Sequence, residues 1–110
     1  MDIVEKEICF YRQINGKIPF REWQNGLEDS RARDLVRARL ARLCAGNYGD
    51  CKSIVRGVFE LRISYGPGYR IYFGQVGPKT LLILNAGQKD TQTRDIQKAF
   101  VYWVDYWRRS

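Results

Sequence analysis

The strongest constraint on the fold is a pair of segments in which apolar and polar residues alternate. Apolar side chains occupy every second position of residues 59–63, and the same period returns in residues 69–73. Such alternation is typical of a strand that buries one face. Between the two segments, Tyr65-Gly66-Pro67-Gly68 supplies residues that favour a tight turn. We therefore predict an antiparallel hairpin.

Further strands are predicted on both sides of this hairpin. Residues 3–11 alternate in the same way and place three apolar residues on one face: Val4, Ile8 and Phe10. The run 81–84 is apolar on both faces, which is typical of a strand that is covered on both sides. The period of two begins at Lys52, so three or four strands are expected in antiparallel sequence after the opening strand.

Three helices are predicted from spacings of three and four between apolar residues. The first opens at Pro19 and ends near residues 28–30, and the second runs from about Ser30, whose side chain is expected to cap it, to Gly46. The third runs from residue 90 or 91 to Arg108, with its stripe in the core. The residues behind these assignments are Phe20, Trp23 and Leu27, then Leu35, Val36, Leu40, Leu43 and Cys44, then Ile96, Ala99, Phe100, Trp103, Val104 and Trp107.

The order of these elements predicts the fold class. A chain of 110 residues has the usual size of one domain, so residues 1–110 are assigned to a single domain. Strands that follow one another along the chain, with helices before and after them, favour an α+β fold. We expect an antiparallel meander sheet that is packed against two N-terminal helices and one C-terminal helix.

The charge of the chain favours an anionic partner, and its composition excludes several kinds of active site. Nineteen Lys and Arg against twelve Asp and Glu give a net charge of +7, as in many nucleic-acid-binding domains. Histidine is absent, which excludes Ser-His-Asp and Cys-His triads and histidine-pair ribonuclease chemistry. The three cysteines show no CxxC spacing, so neither a metal nor another cofactor is expected. A chain without a signal peptide or a long apolar run is expected in the cytoplasm, away from membranes.

A group of polar residues on the hairpin is the first candidate site. Glu60 and Arg62 leave one strand on its polar side, and Arg70 and Tyr72 leave the same side of the neighbouring strand. They form either a row of cross-strand ion pairs on a solvated face or an anion site. The positive charge of the chain and the glycine-rich turn beside the group favour the anion site.

Two further basic clusters are candidates. Lys89 lies in a turn between the apolar strand and the last helix, where it is either part of a phosphate site or a solvated side chain beside a helix cap. Arg37 and Arg39 belong to the second helix, which carries five arginines in all. That helix presents either a solvated face, a surface that follows RNA phosphates, or a dock for an acidic partner segment.

The sequence resembles the RelE/ParE toxin superfamily, in particular its HigB-like branch of phage-derived or addiction-module killer proteins. The resemblance is carried by residues 59–63 (FELRI), 66–73 (GPGYRIYF) and 87–92 (GQKDTQ). Residues 20–23 (FREW), the arginine-rich helix and residues 46–50 (GNYGD) extend it over nearly the whole chain from about residue 20.

This resemblance implies a microbial-ribonuclease-like fold and the function of a type II toxin. Members with a known activity mostly cleave mRNA at the ribosome without a metal, by attack of the RNA 2′-hydroxyl on the adjacent phosphate. A cognate antitoxin, commonly a small helix-turn-helix protein, neutralises the toxin and represses the operon, so operator DNA is contacted only through the antitoxin. Other members poison DNA gyrase or have no demonstrated nuclease activity, which leaves a gyrase-directed toxin or a non-catalytic nucleic-acid or antitoxin-binding module as alternatives.

The resemblance also assigns roles to individual residues. Arg62, Arg70 and Lys89 would stabilise the negative charge of the phosphorane, and Glu60 is the first choice for the base that takes the 2′-proton. Tyr69 and Tyr72 are the candidates for the acid or stacking group. Residues 93–97 lack the tyrosine or histidine that several relatives place there, so the acid is either supplied differently or absent. The expected catalytic set is thus Glu60, Arg62, Arg70 and Lys89, and the expected RNA-binding set is Tyr69, Tyr72, Arg37 and Arg39.

Overall fold

A computed structural model of the protein describes residues 5–110. In this part of the chain, a five-stranded sheet and three α-helices confirm the α+β class. Within the same residues, no helix is both long enough and apolar enough to cross a membrane. The elements are β1 Glu7–Phe10, α1 Pro19–Asn25, α2 Ser30–Cys44, β2 Cys51–Val55, β3 Val58–Ile63, β4 Tyr69–Gln75, β5 Thr80–Gln88, a 3₁₀ turn at Lys89–Thr91, and α3 Gln92–Arg109.

The sheet is mixed, so the prediction of a purely antiparallel meander was wrong. Its strand order is β1-β5-β4-β3-β2, and β2 to β5 pair in antiparallel fashion. β1 instead pairs with β5 in parallel, with Glu7 opposite Thr80 and Phe10 opposite Ile83. Alternation shows which residues share a face of a strand, but it does not show the direction of the strand. Of the predicted opening strand, residues 3 and 4 lie outside the described part of the chain.

Helices cover both faces of the sheet. The connection through α1 and α2 crosses one face and returns the chain to the far edge of the sheet, where β2 begins. α3 covers the opposite face through Ala99 and Trp103. Gly74 allows this contact to be close, because a β-carbon at its position would lie 2.2 Å from a ring carbon of Trp103.

Asp29 caps the start of α2. The prediction that Ser30 caps this helix was wrong. One oxygen of the Asp29 carboxylate accepts the backbone N–H of Arg31 at 2.9 Å and that of Ala32 at 3.3 Å. Its other oxygen accepts the hydroxyl of Tyr65 at 2.8 Å. The N-terminus of α2 is therefore attached to the turn between β3 and β4.

The apolar stripe of α3 is only partly in the core. Ala99 and Trp103 are buried, whereas Phe100 and Trp107 are 45% and 47% exposed. A single layer of sheet lies against α3, so the buried stripe is narrower than the six apolar positions of the prediction.

Candidate functional site

A cleft lined by basic residues lies where the β3–β4 turn meets the end of β5. Its volume is about 430 Å³, and we call it the basic cleft. Three of the predicted site residues, Arg62, Arg70 and Lys89, line it together. The rest of its lining is Asp50, Ser64, Tyr65, Gly66, Pro67 and Gly68.

The pairing of β3 with β4 brings the two arginines together. Arg62 lies opposite Arg70, and Glu60 lies opposite Tyr72. All four side chains are thus on one side of the sheet, as the alternation predicts. This is the side that α3 covers, since Tyr72 belongs to the core cluster of Trp103.

Glu60 lies beneath the two arginines and is fully buried. Its Oε1 accepts a hydrogen bond from Nε of Arg62 at 2.9 Å and lies 3.7 Å from Nε of Arg70. Its Oε2 accepts Nε2 of Gln92, from the first turn of α3, at 2.7 Å. The carboxylate thus connects β3, β4 and α3.

The surroundings of Glu60 favour its charged form. Burial alone raises the pKa of the carboxyl group, but the hydrogen bonds from Gln92 and Arg62 and the charge of Arg70 outweigh it and lower the pKa. Glu60 is fully buried, and each of its oxygens faces a donor of the protein, so its carboxylate is not exposed to a substrate hydroxyl. The position does not fit the predicted role of base, and it suits a residue that holds the two guanidinium groups in place.

Lys89 reaches the basic cleft because the backbone of the turn fits closely against it. The N–H of Lys89 donates to the carbonyl of Gly68 at 2.8 Å. Gly68 has φ of +79°, and a β-carbon there would lie 3.4 Å from Cβ of Lys89 and 3.7 Å from Nη1 of Arg70. A glycine therefore serves both the left-handed backbone conformation and the close packing of the side chains of Lys89 and Arg70 against the turn.

Partly buried contacts at the start of α3 hold the segment that carries Lys89. The hydroxyl of Thr91 donates to Oδ2 of Asp95 at 2.5 Å, and the backbone N–H of Gln88 donates to the same hydroxyl at 3.3 Å. Asp95 is buried directly over Gly87, where a β-carbon would lie 1.8 Å from Oδ2. This packing fixes the end of β5 and so the point from which Lys89 extends.

Neither predicted tyrosine presents its ring to the basic cleft. Tyr72 is fully buried, and burial together with the charges of Glu60 and Asp95 raises the pKa of its phenol. Tyr69 is 5% exposed and packs edge-on against Trp23, on the opposite face of the sheet. The expectation that either residue stacks on RNA or donates a proton to it does not fit these positions.

Sequence reasoning missed three residues of the site. Tyr65 and Asp50 line the basic cleft, and Gln92 is the hydrogen-bond partner of Glu60. A sequence signal existed for Tyr65, which opens the glycine-rich turn, and for Gln92, which ends the GQKDTQ segment. Asp50 ends the GNYGD segment of the resemblance, but nothing in the sequence placed that segment beside the hairpin.

The chain has a relative among known proteins. No family model matches the chain. It is similar to a protein of Haemophilus influenzae that is named only as uncharacterized, with 41% identity over 87 residues. The chain belongs to the same family as this protein. The matched region covers 79% of this chain and 88% of the Haemophilus relative, so the two proteins share most of the domain. The name of the relative assigns no chemistry to the family.

In this member of the family, the two predicted arginines of α2 have different roles. Arg39 is 9% exposed and donates to the backbone carbonyls of Arg62, Tyr48 and Asp50. It is therefore a structural residue that supports the strand of Arg62, and it does not present its charge to RNA. Arg37 is exposed and forms a surface ion pair with Asp34 at 2.8 Å, away from the basic cleft.

Proposed function

We propose that the protein is the toxin of a type II toxin-antitoxin system and inhibits translation by metal-independent cleavage of mRNA on the ribosome. The observation that carries the proposal is the convergence of Arg62, Arg70 and Lys89 on one cleft above a buried carboxylate. The resemblance to HigB-like members of the RelE/ParE superfamily agrees with it, and so does the α+β fold. The protein then acts in the cytoplasm, and a cognate antitoxin of the helix-turn-helix type neutralises it.

The reaction that suits this cleft is a transesterification within RNA. The ribose 2′-oxygen forms a bond to phosphorus while the bond from phosphorus to the 5′-oxygen breaks. The 2′-hydroxyl gives up its proton, and the leaving 5′-oxygen takes one up. The products are a 2′,3′-cyclic phosphate and a 5′-hydroxyl end. The phosphorane between them carries additional negative charge, which cations held in place before the reaction stabilise.

Arg62 and Arg70 are the groups that bind the phosphate. A guanidinium group offers several N–H donors in one plane, which match the oxygens of a phosphate. Glu60 accepts from Nε of Arg62 and lies 3.7 Å from Nε of Arg70, and Nη1 of Arg70 donates to the carbonyl of Tyr69 at 3.5 Å. The two outer nitrogens of Arg62 and Nη2 of Arg70 therefore remain for the substrate. The charge of Glu60 also reduces the repulsion between the two arginines.

Lys89 and Asp50 are the groups that handle the protons. Lys89 is exposed at the end of the basic cleft, where its ammonium group donates to the leaving 5′-oxygen. Asp50 is the exposed acidic residue in the lining, and it accepts the 2′-proton in place of the buried Glu60. Each such proton transfer contributes on the order of 10²–10⁴ in rate.

The test is induction of the protein in a bacterium without an antitoxin, with mRNA 5′ ends mapped within minutes. We expect new cuts inside translated frames with the natural chain and their loss with Arg70→Ala. Arg56→Ala is the matched control, because it removes the same charge from an exposed residue in the turn before β3, at the other end of that strand.

Each outcome bears on the proposal, provided that circular dichroism shows the variants to be folded. Cuts that are retained with Arg56→Ala and lost with Arg70→Ala support it. Full toxicity and unchanged cuts with a folded Arg70→Ala variant overturn the assignment of the basic cleft. Growth arrest with intact messages overturns the nuclease and favours the gyrase-directed alternative, and an absence of arrest favours the binding module.

A further inference from the structure

A second cleft, between α1 and α2, has no part in the proposed reaction. Its volume is about 570 Å³, and it shares no lining residue with the basic cleft. We call it the arginine cleft. Its lining consists of Phe10, Arg21, Gln24, Asn25, Arg33, Arg37 and Leu40.

Three arginines and two amides give the arginine cleft an excess of hydrogen-bond donors. Arg21 donates to the side chain of Gln24 at 2.8 Å, and Arg33 donates to the carbonyl of Leu27 at 2.6 Å. Arg37 is paired only at the surface with Asp34, whose side chain is 72% exposed, and such pairs exchange readily for other anions. Each guanidinium group has five N–H donors, so donors remain for a ligand. Within the described chain, the lining contains no acidic residue.

The apolar part of the arginine cleft distinguishes between two kinds of anionic ligand. Phe10 and Leu40 supply this part. The ring of Phe10 stacks with Phe20, with the ring centres 5.5 Å apart, and the guanidinium group of Arg21 lies over it at 4.1 Å. An RNA base needs a free aromatic face for stacking, and little of this ring remains free. A carboxylate needs only the arginine donors, and a small aliphatic side chain needs only contact with Leu40 and the ring edge.

The position of the arginine cleft suits an extended chain. Phe10 belongs to β1, which is an edge strand of the sheet, and edge strands offer backbone groups to an added segment. We propose that the arginine cleft binds an acidic segment of a partner protein, with Glu or Asp carboxylates on Arg21, Arg33 and Arg37 and an apolar side chain over Leu40. This inference does not depend on whether the basic cleft cleaves RNA.

The experiment is a fluorescence-anisotropy titration at 0.15 M salt with a fluorescein-labelled peptide of nine residues that alternates Glu and Leu. Arg37→Glu is expected to weaken binding about ten- to a hundred-fold, because it replaces a charge-assisted contact by repulsion. Arg42→Glu is the matched control, because it makes the same change on an exposed residue of α2 outside the arginine cleft. It should alter the affinity for the peptide by less than about three-fold, since only screened long-range charge acts at that distance. The same peptide with Lys in place of Glu should not bind.

Three results overturn the inference. The first is an absence of peptide binding to the natural chain. The second is that Lys89→Glu weakens peptide binding and Arg37→Glu does not. This result would place the peptide in the basic cleft. The third is that a nine-nucleotide oligouridine binds more tightly than the peptide and that Arg37→Glu weakens its binding. This result would make the arginine cleft a nucleic-acid site. If Arg37→Glu proves unfolded by circular dichroism, Arg21→Gln tests the same cleft from α1 and should also weaken peptide binding.

Discussion

Replacing Glu60 with Gln tests whether the buried carboxylate holds the site together. The variant keeps the shape of the side chain but removes the charge that lies 2.9 Å from Nε of Arg62 and 3.7 Å from Nε of Arg70. Breaking a buried ion pair by removing one partner costs about 3–5 kcal/mol. The side chain of Arg62 is 30% exposed, so water recovers part of this loss, and we expect the free energy of unfolding to fall by about 2–4 kcal/mol at pH 7.

The effect of Glu60→Gln should depend on pH. The pKa of Glu60 is lowered in the folded protein, so its stabilising contribution is complete above the unfolded value of about 4.3 and is lost as the pH falls through the folded value. The difference between natural chain and variant should therefore be large at pH 7 and shrink below about pH 4.3.

Urea unfolding followed by tryptophan fluorescence measures this difference at both ends of the pH range. In a domain of this size each kcal/mol corresponds to about 4 °C in melting temperature, so thermal scans provide a second measure. Glu28→Gln makes the same chemical change on an exposed residue and should have little effect. Equal stability of the Glu60→Gln variant and the natural chain at pH 7, or a difference that does not change with pH, would refute the reasoning.

Three other predictions concern contacts that hold the fold together. Gly87→Ala places a β-carbon 1.8 Å from Oδ2 of Asp95 and should lower the free energy of unfolding by about 1–3 kcal/mol or more in urea titrations; an unchanged midpoint would contradict this packing. Arg39→Met removes the hydrogen bonds to the carbonyls of Arg62, Tyr48 and Asp50 and should cost about 2–3 kcal/mol, with faster amide exchange in β3; unchanged exchange would argue against it. Burial and Asp105 raise the pKa of Tyr11 to about 12. The neutral hydroxyl of Tyr11 should therefore stabilise the fold fully below pH 10, and this contribution should be lost towards pH 12. Tyr11→Phe should remove one late step from an absorbance titration at 295 nm.

The hairpin and its polar side could be predicted because alternation alone determines which residues share a face. Glu60 and Arg62 share a face for that reason, and the short turn at residues 65–68 sets the register that brings Arg70 opposite Arg62. The burial of Tyr72 could not be foreseen, because it depends on α3 lying across that face, and no periodicity indicates which face a helix will cover. The parallel direction of β1 was missed for a similar reason.

The two roles of the α2 arginines were within reach of the sequence. Val36, Arg39 and Leu43 are spaced by three and four residues, and all three are buried. That spacing places Arg39 on the apolar side of the helix, whereas Arg37 lies outside it. The carbonyl partners of Arg39 could not be foreseen, because they come from a loop and a strand that approach only in the folded chain.

The parallel edge strand has a consequence for how the molecule opens. Contacts between β1 and β5, such as that of Cys9 with the carbonyl of Leu81, join residues 72 positions apart in sequence, whereas β2 to β5 follow one another directly. Such distant pairing forms late and opens early, since closing a long loop has a high entropic cost. Local opening at this edge would disturb Phe10 and the arginine cleft while β3, β4 and the basic cleft stay intact. A partner bound along β1 would therefore slow amide exchange at that edge and leave the protection of the central hairpin unchanged.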